Sequence, residues 1–355
     1  MKKPTCVYAV VSSPEHDLPT HPENAARFSR FEEVIQYTAA KGFPSVESKS
    51  APLEVVAAVH PAQYLQALEE AAAEGPAYVD FAPTYVTPAS FHSAVNAAGA
   101  VLEIVDHVLS GKAEKGFALV RPPGHHATPT RAMGFCLLNN VAIAARYAQS
   151  RAARRVMIVD FDVHHGNGTQ AVFESDPDVL YLSTHQRGIY PGSGEMGDTG
   201  RGKAVGNVIN IPLPGGAGDQ AFAAIADGII LSAGRRFAPD LIMVSAGFDA
   251  HWADPLAGLQ LSCAGFYQLA SRLAELALAT CQGRLVLSLE GGYDPSALAA
   301  SIVAILAGIS GDSPPPDSIG PAPASEPDVS DLVANVSALH RLGSREEPGG
   351  SRGWA

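Results

Sequence analysis

The chain has 355 residues, of which 46% are hydrophobic and 17% are charged. This composition indicates a well-packed globular protein and excludes a disordered chain, and the length fits one large α/β domain or two ordinary ones. The formal net charge of -12 argues against nucleic acid as a direct partner. We expect no membrane association and a cytoplasmic location, because no stretch approaches a membrane span and the Met-Lys-Lys start lacks an apolar leader.

Short apolar runs alternate with longer helical patterns along most of the chain. Strands are predicted at 5–11, 117–120, 155–159, 179–182, 208–211, 240–245 and 284–289. Helices are predicted at 21–41, 52–59, 61–74, 88–110, 140–151, 219–237, 264–281 and 295–308. This alternation predicts an α/β fold with a mostly parallel sheet covered by helices on both faces.

The composition changes after Gly308. Residues 311–327 are rich in proline, serine and alanine and are predicted to be a linker, and 328–342 are predicted to form one short helix. The Gly/Ser/Arg-rich end has the composition of a disordered segment. We therefore expect one domain at 1–310 and a tail at 311–355.

The most informative stretch is Asp-Phe-Asp-Val-His-His-Gly-Asn-Gly-Thr at 160–169, directly after a predicted buried strand. Asp160, Asp162 and His164 alternate, so in extended backbone they point the same way. Unpaired charge is expensive to bury, and the carboxyl ends of parallel strands are where open α/β proteins build their sites. The first interpretation is a metal site, and a hydrogen-bonded polar turn is the alternative.

Two further predicted strands also end in polar residues. Strand 240–245 is followed by Asp249 and Asp254, and strand 284–289 is followed by a Glu-Gly-Gly segment that ends in Tyr293. In a parallel sheet these ends face one side, so a third carboxylate and a tyrosine can converge on the first motif. Two carboxylates, one imidazole and an open position suit a single divalent ion with a hydrolytic role. The imidazole favours zinc, iron or cobalt over magnesium.

Five motifs in a fixed order give the chain a specific resemblance. They are RPPGHHA, GFCxxNN, DxDxHHGNGTQ, SAGFDA followed by DP, and EGGY. Over about residues 5–308 the chain resembles the histone deacetylase family, the zinc-dependent lysine deacetylases and their bacterial amidohydrolase relatives. The HHGNGTQ form and the HPEN start are more similar to the class II and bacterial branch. The resemblance implies the arginase-deacetylase fold, a single three-layer domain with a sheet of about eight strands.

The resemblance also implies one Zn²⁺ ion per chain and a structural K⁺ ion. The implied zinc ligands are Asp162, His164 and Asp254, the aspartate of the Asp-Pro pair, with Asp249 as the alternative for the third position. The implied potassium residues are Asp160, Asp162, His164, Ser183 and Thr184.

Five residues take catalytic roles by the same resemblance. His126 is expected to be the general base, and His125 is expected to stay positively polarised with Asp160 orienting it. Asn167 would contact His126 where the class I branch has a second aspartate, and a neutral partner makes a histidine less basic than a carboxylate does. Tyr293 would donate its hydroxyl to the substrate carbonyl and to the developing oxyanion.

Substrate contacts are also implied. Phe135 and Tyr190 match the aromatic pair that encloses the methylenes of acyl-lysine, with Tyr190 in place of the commoner phenylalanine, and Gly134 leaves room for the chain. Asp80 is a candidate for binding the substrate backbone from a rim loop, although a surface aspartate is the alternative. Leu261 is a candidate for the wall beyond the Asp-Pro pair.

The predicted function is zinc-dependent hydrolysis of the amide of N-acetyl or other N-acyl lysine in proteins or peptides, releasing acetate and free lysine. The alternative is an acetylpolyamine amidohydrolase acting on a small-molecule amine. No Glu occupies the leucine positions after Asp254-Pro255, which favours acyl-lysine. An arginase-like enzyme is disfavoured because Gly166 stands where a second metal would need a carboxylate. A non-enzymatic acyl-lysine binder is the remaining class.

Overall fold

The structure, a computed structural model, describes residues 6–81 and 83–343. Its strands are β1 (Cys6–Val11), β2 (Ala77–Tyr78), β3 (Tyr85–Val86), β4 (Lys115–Val120), β5 (Val156–Asp160), β6 (Val179–Gln186), β7 (Val208–Leu213), β8 (Leu241–Ala246) and β9 (Leu285–Leu289). Seven of them form one sheet in the order β1-β4-β9-β8-β5-β6-β7. Every neighbouring pair in this sheet is parallel.

The α/β prediction is confirmed, and each of the seven predicted strands overlaps a strand of the sheet. The described residues contribute seven strands to the sheet, for which about eight were expected. The antiparallel pair of β2 and β3 was not predicted, because two-residue strands are too short to show an alternating pattern.

The helices are α1 (Phe31–Lys41), α2 (Leu53–Val56), α3 (Ala62–Ala73), α4 (Ser90–Leu109), α5 (Asn140–Gln149), α6 (Asn167–Phe173), α7 (Asp219–Ile225), α8 (Leu231–Phe237), α9 (Cys263–Cys281), α10 (Pro295–Ser310) and α11 (Ser330–Leu339). A π-helical turn at Ala226–Ile230 joins α7 to α8, so the predicted helix at 219–237 is continuous but not regular. Short 3-10 helices lie at Ala25–Phe28 and Gly202–Ala204.

Two hydrophobic cores cover the two faces of the sheet. Alternate residues of each strand point to opposite faces, so Met157 and Val159 join one core while Val156 and Ile158 join the other. Helices α1 and α7 to α11 contribute to the first core, and α2 to α6 contribute to the second. The result is a three-layer arrangement in which all strand carboxyl ends open at one edge.

The segment after Gly311 packs against the domain. Glu326 accepts hydrogen bonds from the backbone N–H groups of Gly218, Gln220 and Ala221 at the start of α7. Val336 of α11 is fully buried in the first core. The domain boundary near residue 310 stays a prediction, and α11 lies within the helix predicted at 328–342. The disorder prediction for the Gly/Ser/Arg-rich end falls mainly on 344–355, which lie outside the described residues. Among the helices that the structure describes, none has the length and apolar character needed to span a membrane.

Candidate active site

The loops that follow β4, β5, β8 and β9 meet at one edge of the sheet. These four strands are neighbours, because the sheet order places β4 beside β9, β9 beside β8, and β8 beside β5. Side chains that are distant in the sequence therefore converge, as the parallel arrangement predicted.

Asp162, His164 and Asp249 form a cluster in which one ligand atom from each lies within 4.8 Å of the others. The Nδ1 atom of His164 is 3.2 Å from Asp162 Oδ1 and 3.2 Å from Asp249 Oδ2. Asp249 Oδ2 is buried, and the His164 imidazole is the one polar partner found for it in the described chain. The cluster is tightly enclosed, since a Cβ atom at Gly247 would lie 2.1 Å from Asp162 Oδ2.

Asp254, the expected third ligand, is not part of this cluster, and Asp249 takes its place. The Oδ2 atom of Asp254 instead accepts the backbone N–H groups of Tyr293 at 2.6 Å and Asp294 at 3.3 Å. Its Oδ1 atom accepts the N–H of Leu256 at 3.0 Å. Asp254 therefore holds the turn that carries Tyr293, while Asp249, the alternative named from the sequence, supplies the third side chain of the cluster. The choice between Asp254 and Asp249 as the third zinc ligand stays a prediction.

The electrostatics of the cluster suit a divalent cation. Burial opposes charge on His164, but Asp162 and Asp249 outweigh it and raise the pKa of that imidazole to about 10. Burial and the nearby charge of Asp162 raise the pKa of Asp249. Two buried carboxylates thus share one protonated imidazole, and a cation that displaced this proton would neutralise both and satisfy the unpaired Asp249 oxygen. The donor set of two oxygens and one nitrogen fits zinc.

The tandem histidines have different partners and opposite pKa shifts. His125 Nδ1 lies 3.0 Å from Asp160 Oδ2, and His126 Nδ1 lies 2.7 Å from Asn167 Oδ1. Burial opposes charge on His125, but the carboxylates of Asp162 and Asp160 outweigh it and raise its pKa to about 10. Burial lowers the pKa of His126 well below the usual range, and positive charge on its neighbours lowers it further. His125 is therefore charged and His126 neutral at neutral pH.

Tyr293 faces the same cavity as the histidines. Burial raises the pKa of its hydroxyl well above the usual value, so the group stays protonated and can donate a hydrogen bond. The Tyr293 ring packs edge-on against Phe135 with 5.9 Å between centroids, and the Arg27 guanidinium lies 4.9 Å from its centre. These contacts fix the ring between the aromatic wall and a buried cation.

The cavity measures about 200 Å³. Its lining residues are Pro83, Pro123, His125, His126, Gly134, Phe135, His164, Tyr190, Leu256, Gly291 and Tyr293. Gly134 has φ +55°, and a Cβ atom there would lie 2.3 Å from His126 Cδ2 and 2.9 Å from Tyr190 Cε1. Gly134, Phe135 and Tyr190 thus form the wall that the sequence predicted for them.

Two predicted substrate residues lie elsewhere. Leu261 is fully buried in the first core, and Leu256 lines the cavity in its place. The chain after Pro255 turns back under its own loop, where Leu261 pairs with His251 in a short parallel bridge. Asp80 does not line the cavity, and its Oδ1 atom accepts a hydrogen bond at 2.8 Å from Arg131.

The predicted potassium residues lie together at the ends of β5 and β6. Asp160 pairs with Ser183 across the two strands, and the Thr184 hydroxyl donates to the Asp160 carbonyl at 3.3 Å. The Ser183 hydroxyl bonds His185 Nδ1 at 2.9 Å. The potassium site stays a prediction.

Two buried carboxylates near the site were not singled out from the sequence. Glu23 bonds Arg121 and Arg27 and is fully buried. Glu290 accepts the backbone N–H groups of Gly124 and His125. Both glutamates lie inside recognised segments, HPEN and EGGY, but spacing alone does not reveal their partners.

Comparisons with known proteins identify the family of this chain. The family described as "Histone deacetylase domain" matches residues 21–309. The chain is 42% identical to "Histone deacetylase 14, chloroplastic" of Arabidopsis thaliana, over 83% of this chain and 74% of that protein. It is 38% identical to "Histone deacetylase-like amidohydrolase" of Pseudomonas aeruginosa, over 82% of this chain and 76% of that protein. The solved structure of the "HDA15 HD domain" superposes with a TM-score of 0.84 and 31% identity, covering 96% of this chain and 95% of that one.

Proposed function

This chain belongs to the histone deacetylase family, and from that premise we propose that it is a zinc-dependent hydrolase of N-acyl-lysine in proteins or peptides. The family makes it a hydrolase acting on amides. One observation supports this choice of cofactor and substrate. A single cavity brings His125, His126, His164 and Tyr293 to the end of an apolar, aromatic-walled tunnel.

Asp162, His164 and Asp249 would hold the zinc ion. When bound there, zinc polarises a carbonyl oxygen and lowers the pKa of a bound water to ~7. Gly291 supports this ligand set, since its backbone N–H donates to Asp162 Oδ2 at 2.9 Å. The Val163 N–H donates to Asp249 Oδ1 at 2.9 Å, which leaves the Asp249 Oδ2 atom free to bind the ion.

The protein groups divide the proton transfers between them. His126 is neutral, so it can take a proton from the attacking water and later give it to the leaving amine. His125 stays charged beside Asp160 and favours negative charge on the substrate. Tyr293 stays protonated and donates to the oxyanion as the carbonyl becomes tetrahedral.

The cavity wall supports a linear alkyl amide as the substrate. Gly134, Phe135, Tyr190 and Leu256 offer methylene-sized packing surface, and among the described residues that line the cavity none is a carboxylate. A polyamine carries further ammonium groups, for which this wall supplies no charged partner. We therefore propose an acetylated protein or peptide as the partner and rank acetylpolyamines second. A structural K⁺ ion beside Asp160 and Ser183 is part of the proposal.

Turnover of an acetyl-lysine peptide and of acetylputrescine by the zinc-loaded protein tests the substrate class. We expect kcat/KM for the peptide to exceed that for the diamine by about tenfold or more, because an ammonium left without a partner in an apolar wall costs well over 1.4 kcal/mol. A preference for acetylputrescine would reverse the ranking.

A further inference from the structure

Glu290 has no role in the proposed chemistry, yet it lies fully buried behind the tandem histidines. Its Oε2 atom accepts the backbone N–H of Gly124 at 2.6 Å and that of His125 at 3.0 Å. Its Oε1 atom accepts the Ser245 hydroxyl at 3.0 Å. On the basis of the proposed function, we infer that Glu290 is a positioning residue: its carboxyl oxygen sets the backbone from which His125 and His126 reach the substrate amide.

The loop that Glu290 holds has few hydrogen-bond donors of its own. Pro122 and Pro123 have no N–H, so Gly124 and His125 supply the first donors after Arg121. Both amides are buried, and a buried N–H needs an acceptor. Asn140 contacts the loop from the other side, because its Nδ2 donates to the Pro122 carbonyl at 3.1 Å. One carboxyl oxygen is therefore the acceptor for the first two backbone donors of this short irregular segment after Arg121.

The same carboxyl group joins three strands of the site. It directly follows β9, the loop it binds follows β4, and Ser245 belongs to β8. Strands β8 and β9 continue to Asp249 and Tyr293, so Glu290 links the histidine loop to the strand ends that carry these two groups. A displacement of the Glu290 oxygen would move His126 relative to Tyr293 while leaving the tunnel wall in place.

Hydrogen-bond acceptance, and not negative charge, is the property the site requires of Glu290. Burial raises the pKa of this carboxyl to about 7, so it is partly protonated at neutral pH. A glutamine side chain has the same length, so its amide oxygen can accept the same two backbone N–H groups. Its NH2 group can donate to the Ser245 hydroxyl, which then acts as the acceptor. Aspartate keeps the carboxyl group but withdraws it by one methylene.

The test compares Glu290→Gln and Glu290→Asp with the wild type in kcat, KM and zinc content, using an acetyl-lysine peptide. We expect Glu290→Gln to keep kcat within about fivefold, and Glu290→Asp to lose about 10²-fold in kcat, the typical cost of a misplacement near 1 Å. We expect KM and zinc content to stay close to the wild-type values in both. Ser245→Ala is the matched control, because it leaves both backbone bonds in place and should keep kcat.

Wild-type kcat in Glu290→Asp would overturn the inference, and so would a fall in Glu290→Gln as large as that in Glu290→Asp. If Glu290→Asp fails to fold, Glu290→Gln alone decides, since a large loss of kcat in that variant overturns the role of the acceptor. A wild-type protein without activity on any acyl-lysine would overturn the proposed function itself, and the inference with it.

Discussion

Asp249→Asn should remove metal binding, whereas Asp254→Asn in the same loop should leave it intact. Each substitution removes one carboxylate from the loop after β8. A difference in metal binding between the two variants therefore depends on the position of the carboxylate and not on the number of charges. Asp249 Oδ2 lies 3.2 Å from His164 Nδ1 and accepts no backbone N–H group in the described chain, whereas Asp254 Oδ2 accepts two backbone N–H groups.

The expected magnitudes follow from these contacts. Changes to residues that only support a metal ligand cost 10–100-fold in affinity, so loss of a direct carboxylate ligand should cost at least about 10²-fold, or ~2.7 kcal/mol. In the metal-free protein, Asp249→Asn loses the attraction to protonated His164, relieves repulsion from Asp162 and keeps an acceptor for the Val163 N–H. We expect its free energy of unfolding to stay within about 1 kcal/mol of the wild type.

Asp254→Asn should behave in the opposite way. The new amide NH2 group must face at least one of the backbone donors from Tyr293, Asp294 or Leu256, so at least one bond is lost. A bond to a charged acceptor is worth roughly 1.5–3 kcal/mol, and the raised pKa of Asp254, about 7, reduces that value. We expect a loss of about 1–2 kcal/mol in unfolding free energy and a lower kcat with zinc retained.

Zinc content after dialysis against a weak chelator, and urea unfolding with and without zinc, measure both quantities. Full zinc content in Asp249→Asn together with loss of zinc from Asp254→Asn would refute the assignment of Asp249 as the ligand.

Three further outcomes are expected. Gly134→Ala should lower kcat by about 10²-fold because its Cβ displaces His126, whereas Gly188→Ala, at φ +81° with open space around it, should not; equal kcat values would contradict this. Zinc uptake at pH 7.5 should release about one proton, because the pKa of His164 is raised to about 10; calorimetry in two buffers that shows no release would contradict it. Burial lowers the pKa of His60 from 6.5 to about 4, so between these pH values the unfolded chain binds a proton at His60 that the folded protein does not bind. The contribution of neutral, buried His60 to stability is therefore complete above pH 6.5 and is lost as the pH falls toward 4. As the pH falls from 6.5 to 4, the free energy of unfolding of His60→Gln should therefore decrease by about 1.4 kcal/mol less per pH unit than that of the wild type. Parallel urea-unfolding profiles of the two proteins over this range would contradict this.

The sequence was sufficient to predict the strands of the sheet and the convergence of polar side chains at one of its edges. Buried parallel strands appear as short apolar runs, and polar residues after such runs must meet at one edge. This reasoning brought Asp162, His164 and Tyr293 together without knowledge of any contact. The tandem histidines were named from the family resemblance, and the structure brings them to the same edge because β4 is a neighbour of β9.

The path of a loop could not be predicted from the sequence. Asp249 and Asp254 share one loop, and spacing does not show which carboxylate turns toward His164 and which binds the backbone of Tyr293. Leu256 and Leu261 were confused for the same reason, because the chain folds back through a bridge at His251.

In the C-terminal segment, composition could not show which residues contact the domain. Proline and serine predicted a linker at 311–327, within which Glu326 binds three N–H groups at the start of α7. A few specific contacts outweighed a composition that is typical of flexible chains.

Hydrolysis of a fluorogenic acetyl-lysine peptide by the zinc-loaded protein, beside Tyr293→Phe and the chelated protein, tests the central claim most directly. We expect measurable turnover in the wild type, a fall of about 10²–10³-fold in kcat for Tyr293→Phe, which lacks the donor to the oxyanion, and loss of activity after chelation that zinc restores. Undiminished turnover in either control, or full zinc occupancy without hydrolysis of any acyl-lysine, would contradict a zinc- and tyrosine-assisted deacetylase.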